Sequence, residues 1–185
     1  MTLAYFYQQQ TTGDDVAVKF ACLFSAAMPC SPDARLGDPV ISKLRAIQYD
    51  ITDRSAAANG YRLTDQEREF VQILQRTVVD AAMHDAQFPW TNMDVYRNGT
   101  LDAIPRVMYS SALAQKIQVP TVHVWGQNDF SYMVNMAELC CSLCETSMSK
   151  TVLHSGLHDL PKKQAEIRAV LRKMDWAIAQ AERAP

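Results

Sequence analysis

The sequence of 185 residues lacks any long apolar run and any strong excess of one charge. No stretch approaches the roughly 18 apolar residues that a membrane-spanning helix needs, so no membrane partner is expected. Lys and Arg total 18, Asp and Glu total 20, and the net charge is −2 with no basic stripe. Because nucleic-acid binding depends on clustered positive charge, no nucleic-acid partner is expected either.

A secretion signal is not visible at the start of the sequence. The first residues, MTLAYFYQQQTTGDD, lack the basic start and apolar core of a signal peptide. The five cysteines are an odd number, which free thiols in a reducing compartment explain most simply. We therefore expect a cytoplasmic protein whose residues 1–185 form one domain.

Three apolar stretches predict the strands of a sheet. Residues 16–25 and 119–126 are nearly continuous apolar runs rich in β-branched and aromatic side chains, as in strands buried on both faces, and residues 150–154 form a weaker third run. Helical patterns lie between and after these runs. This alternation predicts an α/β fold with a parallel sheet and covering helices.

Residues 33–116, between the first two strands, read as a helical insertion or lid. Thr64 and Glu67 have the spacing of a capping box and predict the start of a long helix. A second helix is predicted within residues 101–116, with Pro105 in its first turn. The apolar positions at helical spacing are Phe70, Leu74, Val78 and Ala81 in the first helix and Ile104, Met108 and Ala112 in the second.

Two further helices are predicted after the second and third strands. Residues 131–145 carry Met133, Met136, Cys140 and Cys144 at helical spacing. The last helix follows Asp159 and Pro161 as start signals. Its predicted buried face consists of Ile167, Val170, Met174 and Ile178.

Asp129 and His158 follow the second and third strands. In a parallel sheet, ligands bind beyond the carboxyl ends of the strands, where both residues are expected. An Asp that accepts a hydrogen bond from one imidazole nitrogen fixes the tautomer and leaves the other nitrogen to act as a general base. Taken singly, each residue is as natural in a turn or at a helix start, but the paired order predicts two members of a hydrolase triad.

The motifs around these residues resemble the fungal serine hydrolase (FSH) family of α/β-hydrolases, which includes esterases and thioesterases of polyketide metabolism. VPTVHVWGQNDF resembles the family's strand motif IPTLHVxGxxD, and HSGLHDLP resembles its HxGGHxxP motif, with Leu157 in place of the second Gly. VKFACLFSAAMP is similar to the strand after the nucleophile helix. The resemblance implies Asp129 as triad acid, His158 as triad base, and an acyl or polyketide-like small-molecule ligand.

The nucleophile motif of such hydrolases, G-x-S-x-G, is absent. The six glycines stand at positions 13, 37, 60, 99, 126 and 156, and no two are four residues apart. By the resemblance, Met1 falls just downstream of the missing serine, so we expect an N-terminally truncated relative that does not hydrolyse esters by itself. Alternatives are a non-hydrolytic isomerase or cyclase in which His158 transfers protons, and a noncatalytic binding or assembly protein.

Other residues near the predicted active end are weaker candidates. Ser25 ends the first strand without a nucleophile elbow and, with Phe130 and Trp90, is assigned to substrate binding. Cys30 would need a lowered pKa to act as a nucleophile, and nothing local suggests one. Cys140 and Cys144 are interpreted as core residues, and no metal or cofactor is expected.

Self-association is the final expectation. Without the nucleophile strand, one edge of the strand at residues 16–25 would be unpaired. We therefore predict a homo-oligomer, or a requirement for a partner chain, with this strand and the AYFYQQQ helix in the contact.

Overall fold

The computed structural model describes residues 2–12, 18–31, 33–54, 62–84 and 91–183. Three parallel strands form a sheet in the order β1 (Ala21–Phe24), β2 (Thr121–Gly126) and β3 (Ser149–His154). The register aligns Phe24 with Val124, and Val124 with Val152. The predicted α/β class with a parallel sheet is confirmed.

The central strand β2 is buried along its whole length, because it has a strand on each side and helices over the sheet. Val122 and Val124 pack with Val152 of β3 and with Val170 and Ala177 of the last helix. This apolar cluster holds the sheet and that helix together, since burying each valine side chain contributes about 1.5 kcal/mol or more.

A helix follows each of the last two strands. Helix α6 (Ser131–Ser142) comes directly after β2, and α7 (Gln164–Arg183) comes after β3. The helical bounds are α1 (Thr2–Thr12), α2 (Asp38–Ala46), α3 (Asp65–Leu74), α4 (Asp80–Met83), α5 (Met93–Asn98), α6 (Ser131–Ser142) and α7 (Gln164–Arg183). No helix of the described ranges is long and apolar enough to cross a membrane.

The first strand is shorter than the prediction over residues 16–25. Residues 16 and 17 lie outside the described part, and pairing with β2 extends only over Ala21–Phe24. Pro120 precedes β2 and lacks an N–H, although its carbonyl still accepts from Ala21 at 3.0 Å. Phe24 is 39% exposed, so the prediction that both faces of this strand are buried was wrong.

The buried face of α7 also differs from the prediction. Ile167 and Ile178 are exposed, whereas Val170, Ala177 and Ala181 are buried. Small alanine side chains let the helix approach the sheet closely, which larger residues would prevent. The helix itself was predicted correctly.

Residues Cys30–Ala112 form one compact unit, and residues Met1–Pro29 with Leu113–Pro185 form the other. In the first unit, Thr64 Oγ1 accepts from Glu67 N at 3.2 Å, and a Glu67 carboxylate oxygen accepts from Thr64 N at 2.7 Å. The predicted capping box is thus present. The four apolar positions of the long helix are all fully buried, namely Phe70, Leu74, Val78 and Ala81.

A π-helical turn, Gln75–Val79, joins α3 to α4 within this helix. The interpretation of residues 1–185 as a single domain with an insertion at 33–116 stays a prediction.

The prediction of a helix within residues 101–116 was wrong. Only two short 3-10 turns form there, Leu101–Ala103 and Ser110–Ala112. Ile104 is extended, with φ −91° and ψ 131°, because the ring of the following Pro105 disfavours a helical residue before it. Ile104 and Met108 are nevertheless buried.

Candidate active site

The turns that follow β2 and β3 are bound to each other by main-chain hydrogen bonds. Gln127 N donates to His154 O at 2.9 Å, and Asn128 N donates to Gly156 O at 3.3 Å. The Asn128 side-chain amide donates to Ser155 O at 2.9 Å. Since these bonds fix one turn relative to the other, side chains on both turns are held in a defined geometry.

Gly126 makes this close approach possible. A Cβ atom at this position would lie 2.2 Å from Leu157 O and 2.4 Å from Gly156 O, both main-chain atoms that cannot rotate away. Glycine is therefore required here by the neighbouring backbone. The family motif that this segment resembles has a Gly at the position of Leu157. The described non-glycine residues with positive φ are Ser25 and Gln48, so the backbone of Leu157 does not need a glycine.

Asp129 and His158 meet at this junction. Asp129 Oδ2 lies 2.8 Å from His158 Nδ1, and the other carboxylate oxygen, Oδ1, accepts from Phe130 N at 2.8 Å. The Asp129 side chain is 2% exposed and that of His158 is 50% exposed. Nε2 of His158 makes no hydrogen bond to the residues that the structure describes. A buried acceptor on Nδ1 favours the tautomer whose accessible Nε2 can accept a proton.

Glu166, on the first turn of α7, is hydrogen-bonded to the turn that carries His158. A Glu166 carboxylate oxygen accepts from Ser155 N at 2.9 Å, and this hydrogen bond lowers the pKa of the carboxyl group. Asp159 forms an ion pair with Lys162, which lowers the Asp159 pKa. The role of Glu166 could not be recognised from the sequence, because an acidic residue in the first turn of a helix is common without any such contact.

His154, at the end of β3, is a second buried histidine in this region. Its Nδ1 accepts from Gly156 N at 3.2 Å, so this imidazole shapes the turn that carries His158. The side chain is almost fully buried, and its Nε2 has no hydrogen-bond partner among the residues described.

Ser25 follows β1 and adopts a left-handed backbone with φ 40°. Its N–H donates to Val124 O at 2.8 Å, which extends the pairing of β1 with β2. Its Oγ is buried and has no hydrogen-bond partner within the described ranges. The backbone strain marks a special position, but a shielded hydroxyl is poorly placed to attack a substrate. Its role in substrate binding stays a prediction.

Exposed apolar residues stand next to Asp129 and His158 in the chain. Phe130 is 56% exposed, and its ring stacks on Tyr132 with centroids 5.6 Å apart. Leu157 and Leu160, on either side of His158 in the chain, are also exposed. These two leucines were not singled out from the sequence. Trp90, the third residue assigned to substrate binding, lies outside the described residues.

Cys30 does not carry an activated thiol. Burial raises the pKa of Cys30 to about 11, so its reactive thiolate is scarce at neutral pH. Cys140 and Cys144 are buried, as free cysteines that pack like small apolar side chains are. Among the described residues, no group of three or more His, Cys, Asp or Glu side chains is arranged to hold a metal ion.

A parallel sheet with covering helices, an Asp after one strand and a His after the next define a partial α/β-hydrolase-like fold. The chain belongs to the Serine hydrolase (FSH1) family, whose model matches residues 1–170. The resemblance seen in the sequence motifs is thereby confirmed.

Two fungal proteins are similar to this chain along nearly its whole length. Esterase alnB of Emericella nidulans is 26% identical over 183 residues, which are 99% of this chain and 64% of that protein. Serine hydrolase cnsH of Penicillium expansum is 23% identical over 186 residues, covering 98% of this chain and 74% of that protein. No solved structure matches the chain.

Proposed function

We propose that this chain carries the acid and base of an ester or thioester hydrolase, with Asp129 orienting His158 and His158 moving the proton. The observation that supports this most directly is the 2.8 Å contact between Asp129 Oδ2 and His158 Nδ1. The similarity to Esterase alnB and Serine hydrolase cnsH favours an acyl substrate over other classes.

The chemistry follows from the protonation states of the pair. In an acyl transfer, the imidazole accepts the proton of the attacking hydroxyl through Nε2 and later donates it to the leaving group. The positive charge that develops on the ring is stabilised by the Asp129 carboxylate. Exposed apolar side chains at Phe130, Leu157 and Leu160 offer contacts for the acyl part of a substrate, a polyketide-like one included.

The proposal assigns no serine nucleophile to this chain, because G-x-S-x-G does not occur in its sequence. We therefore expect only slow hydrolysis of activated esters such as 4-nitrophenyl acetate. This residual reaction should depend on the imidazole, acting on water or attacking the ester directly.

The experiment combines 4-nitrophenyl acetate hydrolysis with labelling by a fluorophosphonate. Hydrolysis should fall to the uncatalysed rate in His158→Ala and decrease in Asp129→Asn, and His84→Ala, which changes an exposed histidine, serves as control. The fluorophosphonate should leave the chain unlabelled. Stoichiometric labelling that survives denaturation would show an activated serine of the chain's own, and unchanged hydrolysis in both site variants would remove the pair from the mechanism.

A second candidate is proton transfer without a nucleophile, as in an isomerase or cyclase. The half-exposed imidazole with its unengaged Nε2 favours it, because general base catalysis needs only a positioned histidine and a substrate pocket. Exchange of an acidic C–H of a ketone probe with solvent deuterium, lost in His158→Ala, would support this candidate. Absence of exchange in the unaltered chain would contradict it.

A further inference from the structure

The unit formed by Cys30–Ala112 contains a cavity of about 400 Å³, which is within the range of small-ligand pockets. Its lining includes the apolar side chains of Ile41, Leu44 and Ile51, all of them buried. Tyr96 also lines it and is 4% exposed, and burial raises the pKa of this phenol. The phenol is therefore neutral, and these side chains together suit an apolar ring or chain.

Two guanidinium groups and one carboxylate also line the cavity, giving these residues a net charge of +1. Arg45 is held in place by the end of α5, because its Nε donates to Tyr96 O and its Nη2 donates to Val95 O, both at 2.8 Å. Its Nη1 makes no hydrogen bond to the described part of the chain. This arginine is thus preorganised, with donor capacity left over.

Arg97 is the more accessible of the two cations, with a side chain that is 52% exposed. Its Nη2 lies 3.4 Å and 3.5 Å from the Asp50 carboxylate oxygens, a long contact at an exposed position. Asp50 Oδ1 already accepts from Thr52 N at 2.9 Å and from Thr52 Oγ1 at 2.7 Å. An exposed pair with this geometry contributes little, so a ligand anion can compete for Arg97.

Gln48 occupies a position where glycine is the usual residue. It follows α2 with φ 53°, and Tyr49 N donates to Leu44 O at 2.8 Å, as in a Schellman motif. This conformation is disfavoured for residues that carry a Cβ atom. Gln48 also lines the cavity, and its side-chain amide carries both hydrogen-bond donors and an acceptor.

From this arrangement we propose that the cavity binds a small amphipathic carboxylate, with its apolar part on Ile41, Leu44 and Ile51 and its carboxylate on Arg97 and Arg45. A guanidinium binds a carboxylate through two parallel hydrogen bonds, and a neutral amide cannot reproduce that charge-assisted contact. The proposal does not rest on the hydrolase function, since neither Asp129 nor His158 lines this cavity.

Isothermal titration of the full chain with 2-naphthoate and with its neutral isostere, naphthalene-2-carboxamide, tests the site. Naphthoate should bind with one-to-one stoichiometry and the amide about tenfold more weakly. Arg97→Gln should raise the dissociation constant of naphthoate about tenfold and leave that of the amide unchanged. Arg97 is half-exposed, so this variant should fold normally, as circular dichroism can verify.

Arg35→Gln is the matched control, because Arg35 is an exposed arginine of the same unit that does not line the cavity. It should bind naphthoate like the unaltered chain. The proposal is overturned if naphthoate shows no binding at millimolar concentration or if the acid and the amide bind with equal affinity. It is also overturned if Arg97→Gln and Arg35→Gln have the same dissociation constant for naphthoate.

Discussion

Asp129 and His158 are 29 residues apart in the chain, yet Oδ2 of the aspartate lies 2.8 Å from Nδ1 of the histidine. The aspartate is buried and also accepts from Phe130 N, whereas the imidazole is half-exposed. A buried carboxylate keeps a fixed position, so the exposed ring takes its orientation from it. An aspartate that orients a catalytic base must be fixed in place, whereas the base must remain accessible to a substrate, and Asp129 and His158 differ in this way.

The first prediction concerns the proton on His158 Nδ1. If the proton on His158 Nδ1 is hydrogen-bonded to the Asp129 carboxylate, the resonance of this proton should appear at low field in the proton NMR spectrum at neutral pH. Asp129→Asn should shift or remove that resonance and lower ester hydrolysis by about tenfold or more, because the amide can stabilise the opposite tautomer. The resonance should survive in His84→Ala. A spectrum that Asp129→Asn leaves unchanged would contradict the assignment.

Gly126→Ala is expected to disrupt the junction of the two turns. The new methyl group would overlap the carbonyl oxygens of Gly156 and Leu157, so we expect a loss of about 3 kcal/mol in the free energy of unfolding. Denaturant unfolding followed by the fluorescence of the neighbouring Trp125 measures it. Gly37→Ala is the control, since its Cβ would lie 3.6 Å from the Phe70 ring, at ordinary contact distance. Equal stability of the two variants would refute the steric argument.

Local sequence signals predicted the elements whose causes are themselves local. The capping pair Thr64 and Glu67 and the apolar spacing from Phe70 onward identify the long helix that begins at Asp65, and glycine at 126 marks the end of β2. The pairing of Asp129 with His158 could be anticipated because parallel strands end at the same edge of a sheet.

Features that depend on tertiary neighbours could not be predicted in this way. The spacing of Ile104 and Met108 is helical, but both side chains are buried by a non-helical segment that contains Pro105. The left-handed backbone of Ser25 could not be predicted from the sequence, because serine rarely adopts this conformation. Periodicity on α7 located the helix but not which apolar side chains face the sheet.

His123 predicts a pH dependence of stability. Burial of this imidazole in the middle of β2 lowers its pKa from 6.5 to about 4. Between those values the unfolded chain takes up a proton and the folded chain does not. The contribution to stability is therefore complete above pH 6.5 and is lost as the pH falls towards 4, by about 3 kcal/mol in total.

His123→Gln should flatten this dependence between pH 6.5 and 4.5, as measured by urea unfolding at a series of pH values. His84→Gln, which changes an exposed histidine, should retain it. A steep dependence that persists in His123→Gln would assign the protonation to another group.

The last prediction concerns self-association through β1. Within the part of the chain that the structure describes, β1 pairs only with β2, so the backbone groups on its other edge have no strand partner. Phe24 of β1 is exposed, as are Val18 just before the strand and Tyr5 of α1. Unpaired edges flanked by apolar side chains favour pairing with another copy. We therefore expect light scattering at micromolar concentration to give twice the mass of one chain.

Phe24→Lys should shift this equilibrium to the monomer, because a charge beside the edge opposes pairing without disturbing the core. Phe20 is unsuitable for the same test, since it packs against the central apolar cluster and its replacement would affect folding. Phe130→Lys, which changes an exposed phenylalanine after β2, is the matched control and should remain a dimer. A monomeric unaltered chain would show this prediction to be wrong, and a dimeric Phe24→Lys variant would exclude the β1 edge as the contact.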